Sequence, residues 1–204
     1  MSARGGFITL EGVDGAGKST HIDFIAQRLQ ARGRQPIVTR EPGGTPLAEK
    51  LRALVLAEPM TPLTETLLMF AARADHVERV IRPALESGRW VLCDRFTDAT
   101  AAYQGAGKGI PQELIRRLAE ASHPGLLPDR TLVFDCPYEV ARQRLAASGR
   151  SLDRFENEGA EFFERVRRAY LARAAAEPGR IRVVDATRPI ESIRKQLEEV
   201  LLAD

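Results

Sequence analysis

The chain is poor in the residues that build disulfide and metal scaffolds. It has two cysteines in 204 residues, Cys93 and Cys136, too few for a disulfide framework. Both sit in short apolar runs, Val91-Leu92-Cys93 and Val133-Phe134-Asp135-Cys136, so buried, reduced thiols are expected. His21, His76 and His123 lack metal-ligand spacing. No Ser–His–Asp or Cys–His arrangement stands out. No window approaches the ~18 apolar residues of a membrane span. Met1 to Gly6 carries no signal-peptide stretch, and the expectation is a soluble cytoplasmic protein with no membrane partner. Charge of one sign is missing too: 30 basic against 28 acidic residues leave a net charge of +2. That balance argues against broad nucleic-acid binding, which needs a one-signed patch.

What the chain does have is a core. Hydrophobic residues make up 44%, too many for a disordered chain. Short apolar runs alternate with longer helical patterns. Strands are expected at Phe7–Leu10, Pro36–Thr39, Trp90–Cys93, Arg130–Phe134 and Ile181–Val184. Helices are expected at His21–Leu29, over Leu63–Glu86 as one long rod capped by Thr61-Pro62, and after Pro111, Pro137 and Pro189. Phe162, Val166, Ala169 and Tyr170 mark a further helix. Strands separated by helices imply an α/β fold of three layers, a five-stranded parallel sheet with helices on both faces. Residues 1–204 read as one domain. Two glycine-containing stretches, Gly105–Gly109 and Ser148–Ser151, are candidates for mobility.

The strongest motif is Gly12-Val13-Asp14-Gly15-Ala16-Gly17-Lys18-Ser19, followed by Thr20. It matches G-x-x-x-x-G-K-[ST] between a strand and a helix. Glycines let backbone N–H groups converge on phosphate oxygens. Lys18 then reaches the β- and γ-phosphates of ATP, and the Ser19 hydroxyl ligates Mg²⁺. The motif identifies the triphosphate and leaves the acceptor open.

Five more segments follow in order: Thr39-Arg40-Glu41-Pro42-Gly43-Gly44-Thr45, Asp94-Arg95-Phe96, Ala102-Tyr103-Gln104-Gly105, Leu152-Asp153-Arg154-Phe155-Glu156 and Asp185-Ala186-Thr187. With the phosphate loop they make the chain resemble the bacterial thymidylate kinases over nearly its whole length, in the subgroup whose lid supplies an arginine. The resemblance implies transfer of the γ-phosphoryl group of ATP to dTMP, giving dTDP and ADP on the way to dTTP. It also implies a homodimer to which the Leu63–Glu86 helix contributes.

Roles for particular residues follow. Arg40 and Glu41 lie at the carboxyl edge of the sheet, where ligands of open α/β sheets bind. There an arginine can clamp an anionic acceptor and Glu41 can orient it. Resemblance implies that Arg95 holds the acceptor phosphate, with Arg52 adding to the clamp. It places Asp94 near the metal-bound phosphates and gives Asp14 the sugar 3′-hydroxyl. An aromatic residue on the long helix packs on the base in this family, and an arginine four residues later bonds a base carbonyl. Arg73 is that arginine; Met69 is four residues before it and Phe70 three. Thr100 and Gln104 supply further base contacts, and Tyr103 excludes a 2′-hydroxyl by bulk. Gly15 stands where a second subgroup carries its arginine, so the transition-state cation must come from a lid at about 142–158. Arg142, Arg144, Arg150 and Arg154 are there, and Arg150 is the first candidate. Lys18, Arg95, Arg150 and Asp14 are the expected catalytic set. Arg144, Arg150 and the Ala186 loop complete the ATP site. A kinase for another nucleotide or a deoxynucleoside shares most of these parts. A non-catalytic nucleotide switch does not need the Arg40, Arg73 and Arg95 set, and the guanine motif Asn/Thr-Lys-x-Asp is absent.

Overall fold

The three central strands are buried on both faces, which sets the architecture. The structure, a computed structural model, describes residues 4–149, 151 and 153–202. The strands are β1 (Phe7–Glu11), β2 (Pro36–Arg40), β3 (Trp90–Asp94), β4 (Arg130–Asp135) and β5 (Ile181–Asp185). They form one parallel sheet in the order β2-β3-β1-β4-β5. Thr9 pairs with Cys93 on one side and Thr131 on the other. The chain leaves β1 toward β2 and β3, then returns on its other side to β4 and β5. That reversal opens a crevice at the carboxyl ends of β1 and β3, the usual ligand position in such sheets.

Side-chain alternation splits the core into two layers. Ile8, Leu10, Leu92 and Leu132 join Ile25, Tyr170 and Leu197 on one face. Phe7, Val91, Cys93 and Phe96 join Ile81 and Leu85 on the other. Each fully buried side chain of this size contributes roughly 1.5–3 kcal/mol. Cys93 and Cys136 are buried free thiols.

The helices are α1 (Lys18–Ala31), α2 (Pro46–Ala57), α3 (Pro62–His76), α4 (Arg82–Glu86), α5 (Thr97–Thr100), α6 (Gln112–Ser122), α7 (Tyr138–Ala147), α8 (Ala160–Ala176) and α9 (Ile190–Leu202). Thr45 and Thr61 cap α2 and α3 by accepting from the N–H groups of Ala48 and Thr64, each with proline in the first turn. The expected rod over Leu63–Glu86 is continuous but changes gauge. A π-helical turn, Val77–Ile81, separates α3 from α4. Pro83 explains it: proline has no N–H and its ring clashes with the carbonyl four residues back, here Arg79. The stretch read as mobile at Gly105–Gly109 is instead built in. Ala101–Gly107 forms a second π-helix packed on α8 so closely that a Cβ on Gly107 would lie 2.6 Å from the Phe162 ring. Among the described residues, no helix is long and apolar enough to cross a membrane.

Candidate active site

β1 delivers Glu11 to the crevice and the loop after it turns back into α1 through three glycines at positive φ, Gly12, Gly15 and Gly17. Gly12 faces the Phe134 carbonyl oxygen, 2.3 Å from where a Cβ would lie, and Gly15 faces α7. A Cβ on Gly15 would lie 2.5 Å from the Ala141 carbonyl oxygen, so the loop can carry no side chain at this point. Lys18 is buried, and its Nζ donates to the carbonyls of Gly12 and Val13, each at 3.1 Å. Burial and the nearby Arg95 both lower its pKa. The ammonium therefore rests on weak backbone acceptors that phosphate oxygens can replace. Lys18, Ser19, Thr20, Arg40, Asp94 and Arg144 line a cleft of about 1610 Å³. Asp94 Oδ1 is buried on its wall without a hydrogen-bond partner. Arg144 closes the cleft by donating to the carbonyls of Ala16 at 3.3 Å and Ala186 at 2.7 Å. Ala186 itself is buried, and its carbonyl is the one Arg144 holds. Arg188, from the loop after β5, also lines the cleft, as do His21, Ile190 and Ile193, which sequence reasoning did not mark as cleft positions.

Asp14 and Arg95 meet where this cleft joins a second one. Arg95 Nη2 donates to Asp14 Oδ1 at 2.6 Å and to the Tyr103 hydroxyl at 3.0 Å. Its Nη1 donates to the Gly12 carbonyl at 2.9 Å and the Tyr170 hydroxyl at 3.2 Å. Tyr103 donates in turn to Asp14 Oδ2 at 2.7 Å. Burial pushes the Asp14 carboxyl up, but Arg95, Lys18 and the Tyr103 hydroxyl outweigh it and hold it at about 2. Two neighbours were not foreseen. Glu11, fully buried, accepts from the Phe96 N–H at 2.7 Å and the Tyr170 hydroxyl at 2.8 Å. Tyr170 comes from α8, a helix read only as a packing element.

The second cleft is lined by Asp14, Arg52, Met69, Arg73, Arg95, Phe96, Thr100, Tyr103, Gln104 and Phe155, among others. Arg73 and Glu41 are buried charges on its wall, and of the two Arg73 is the one that reaches a base-site candidate. The Arg73 Nε donates to Glu41 Oε2 at 2.6 Å and its Nη2 to Thr100 Oγ1 at 3.1 Å. Its Nη1 is buried with no partner. Glu41 is held from behind by His76 Nδ1 at 3.1 Å, and His76 Nε2 meets Thr39 Oγ1 at 2.8 Å. His76 is thus structural, as is His123, whose pKa burial lowers to about 4. Gln104 Nε2 donates to buried Glu65 at 2.7 Å.

The structure separates the two base-stacking candidates. Met69 lines the cleft, whereas Phe70 is buried off its wall with the Arg73 guanidinium 4.8 Å from its ring. Phe70 therefore supports Arg73, because a residue three positions before the arginine points one turn back and slightly around the helix. Phe96, Tyr103 and Phe155 put aromatic rings on the wall. Arg40 also departs from expectation. Its side chain is 55% exposed, pairs with Glu49 at 3.0 Å and faces the first cleft. Arg52 lines both clefts and donates to the Pro42 carbonyl at 3.1 Å.

In the expected lid, Arg142 and Arg144 belong to α7. Arg142 donates to the Glu156 carbonyl at 3.0 Å. Arg154 reaches away from the phosphate loop: it pairs with Glu65 on α3 at 2.6 Å and donates to the Val55 carbonyl. That anchor removes Arg154 from the cations facing the phosphate loop. Arg150 lies outside the described residues.

A glycine loop opening a helix, an adjoining strand-end carboxylate and an arginine-lined cleft beyond them define a P-loop kinase with separate donor and acceptor sides. Comparison with known proteins narrows this. The family model for thymidylate kinase matches residues 10–197. A thymidylate kinase of Bordetella petrii is 60% identical over 203 residues, covering 100% of this chain and 98% of the relative. One from Methylobacillus flagellatus is 56% identical over 198 residues, 97% of each chain. The solved thymidylate kinase of Ehrlichia chaffeensis has a TM-score of 0.79 at 33% identity, covering 97% of this chain and 98% of that one. The chain belongs to the thymidylate kinase family, whose reaction is phosphorylation of dTMP to dTDP by ATP.

Proposed function

We propose that the Lys18 cleft holds ATP, the Arg73 cleft holds dTMP, and the γ-phosphoryl group crosses between them beside Asp14 and Arg95. The observation that carries this is Arg73 Nη1, a buried donor without a partner on the acceptor wall. Leaving such a donor unmet costs about 1–3 kcal/mol, and a thymine carbonyl satisfies it. Thr100 and Gln104 face the same space, and Met69 and Phe96 supply apolar cover. Arg95 and Arg52 take the acceptor phosphate, for which a phosphate oxygen displaces Asp14 from Arg95. Asp14 is then free to meet the sugar 3′-hydroxyl.

The nucleophile is a dTMP phosphate oxygen, already ionised near neutral pH, so no side chain must remove a proton. Catalysis rests on positioning and charge. Lys18 neutralises the β- and γ-phosphates. Asp94, with an unpartnered buried oxygen, and Ser19 fit a Mg²⁺ ion, which when bound spreads the phosphate charge. Arg150 remains the lid cation of this reading, and Arg144 fixes the ATP side of the cleft. ADP release should need both added dTMP and a divalent cation. ADP release that persists in chelator, or without dTMP, would sink the assignment.

The same reading includes a cytoplasmic homodimer. Leu47 and Leu54 on α2 and Leu63 and Leu67 on α3 are exposed, an apolar face that a second copy would cover. Sedimentation as a monomer at micromolar concentration would contradict it.

A further inference from the structure

Among the described residues, Arg95 is the one non-glycine residue at positive φ, 72°. The left-handed region is sterically disfavoured for an L-residue, so neighbours must hold it there. The Arg95 N–H donates to the Leu10 carbonyl at 2.9 Å. The next N–H, on Phe96, donates to Glu11 Oε1 at 2.7 Å. The other Glu11 oxygen accepts from the Tyr170 hydroxyl at 2.8 Å, and that hydroxyl accepts from Arg95 Nη1 at 3.2 Å. One buried carboxylate therefore holds the peptide group that follows Arg95 directly and the guanidinium through Tyr170.

Core packing alone does not ask for a carboxylate at the end of β1, where burial of a charge is costly. Five charged or titratable groups face it: Cys93 on β3, Arg95 just after it, Asp98 on α5, Tyr170 on α8 and Lys18 on α1. Burial, with Asp98 adding to it, lifts the Glu11 carboxyl to about 7 against Arg95 and its two hydrogen bonds. The fold keeps this group at a cost to its own stability.

We infer that Glu11 is a positioning residue for the acceptor phosphate, holding Arg95 in the left-handed geometry that dTMP use requires, with Tyr170 as the relay to the guanidinium. This rests on the proposed role of Arg95 as the phosphate grip. Glu11→Gln keeps size and one oxygen for the Phe96 N–H, and reverses polarity toward Tyr170. Hydrogen bonds involving charged groups are worth ~1.5–3 kcal/mol, so the KM for dTMP should rise about tenfold or more. The KM for ATP should stay within about twofold, and Tm at pH 8 should hold or rise. Tyr170→Phe should raise the dTMP KM about threefold, and add nothing in the Glu11→Gln background, because the two act in one chain.

Arg95→Lys is measured beside them. If Arg95→Lys raises the dTMP KM and Glu11→Gln leaves it flat, the Glu11 assignment falls and the phosphate grip stands. If Arg95→Lys is itself silent, the grip falls and the Glu11 assignment with it. A lower Tm in Glu11→Gln with unmoved KM values marks a purely structural carboxylate and overturns the inference. Should Glu11→Gln fail to fold, Tyr170→Phe decides: a dTMP KM that does not rise overturns the relay.

Discussion

The Arg73 guanidinium donates from Nε to Glu41 Oε2 at 2.6 Å, and both side chains are only 3% exposed. The pair is costly to break from one side. Glu41→Ala leaves the Arg73 charge buried without its carboxylate, at about 3–5 kcal/mol. The variant should lose about that much unfolding free energy in urea and use dTMP poorly. An unfolding midpoint within error of the parent would mean that Glu41 does not support Arg73.

Among the described residues the Lys18 ammonium hydrogen-bonds to two backbone carbonyls, so its removal should spare the fold. Lys18→Ala is expected to lower kcat at least about a hundredfold, on the scale of losing one preorganised donor to developing charge. Circular dichroism should remain that of the parent. Near-normal turnover would place the triphosphate elsewhere.

Local features were readable from sequence because they are contiguous or periodic. The phosphate loop is eight residues in a row, and the strands are apolar runs whose central three proved buried on both faces. Arg73 was named from the family resemblance, and it lies on α3 at the cleft wall. Contacts that close over long sequence separations were not readable. Glu11 and Tyr170 are 159 residues apart, and no spacing rule joins them. Nothing in the residue type of Arg95 announces positive φ, as glycine would. The choice between Met69 and Phe70 stayed open in the sequence because an aromatic ring near a site arginine can face the cleft or back the guanidinium, and the helix phase decides. Phe96 follows a strand and Phe155 a loop, with no periodic signal to mark either as cleft wall.

The lid arginines should separate by function. Arg144 bridges the phosphate loop and the Ala186 carbonyl, so Arg144→Ala should raise the KM for ATP. Arg154 is tied to Glu65, so Arg154→Ala should leave the transfer step largely intact. Arg150→Ala should slow single-turnover transfer about a hundredfold or more with dTMP binding little changed, as for a cation acting only in the transition state. Transfer that slows in Arg154→Ala and not in Arg150→Ala would reverse the assignment.

Glu11 and Asp14 are pushed in opposite directions, which sets a pH signature. Glu11 rises from 4.5 to about 7. Its stabilising contribution is full below about 4.5 and is lost as pH rises through 7. Asp14 falls from 3.8 to about 2, so its contribution holds above 3.8 and is lost as pH falls through 2. The Tm of Glu11→Gln should therefore match the parent near pH 4 and exceed it increasingly up to pH 8. Parallel melting curves across that range would show that Glu11 is not raised.

The most direct measurement follows label from [γ-³²P]ATP into dTMP, dUMP, dCMP and thymidine, in the parent and in Arg73→Ala. Label should appear in dTDP with the highest kcat/KM of the four acceptors, and Arg73→Ala should lose most of that preference. A higher kcat/KM for another acceptor, or a preference for dTMP unchanged in Arg73→Ala, would contradict the assignment of the Arg73 cleft as the thymidylate site.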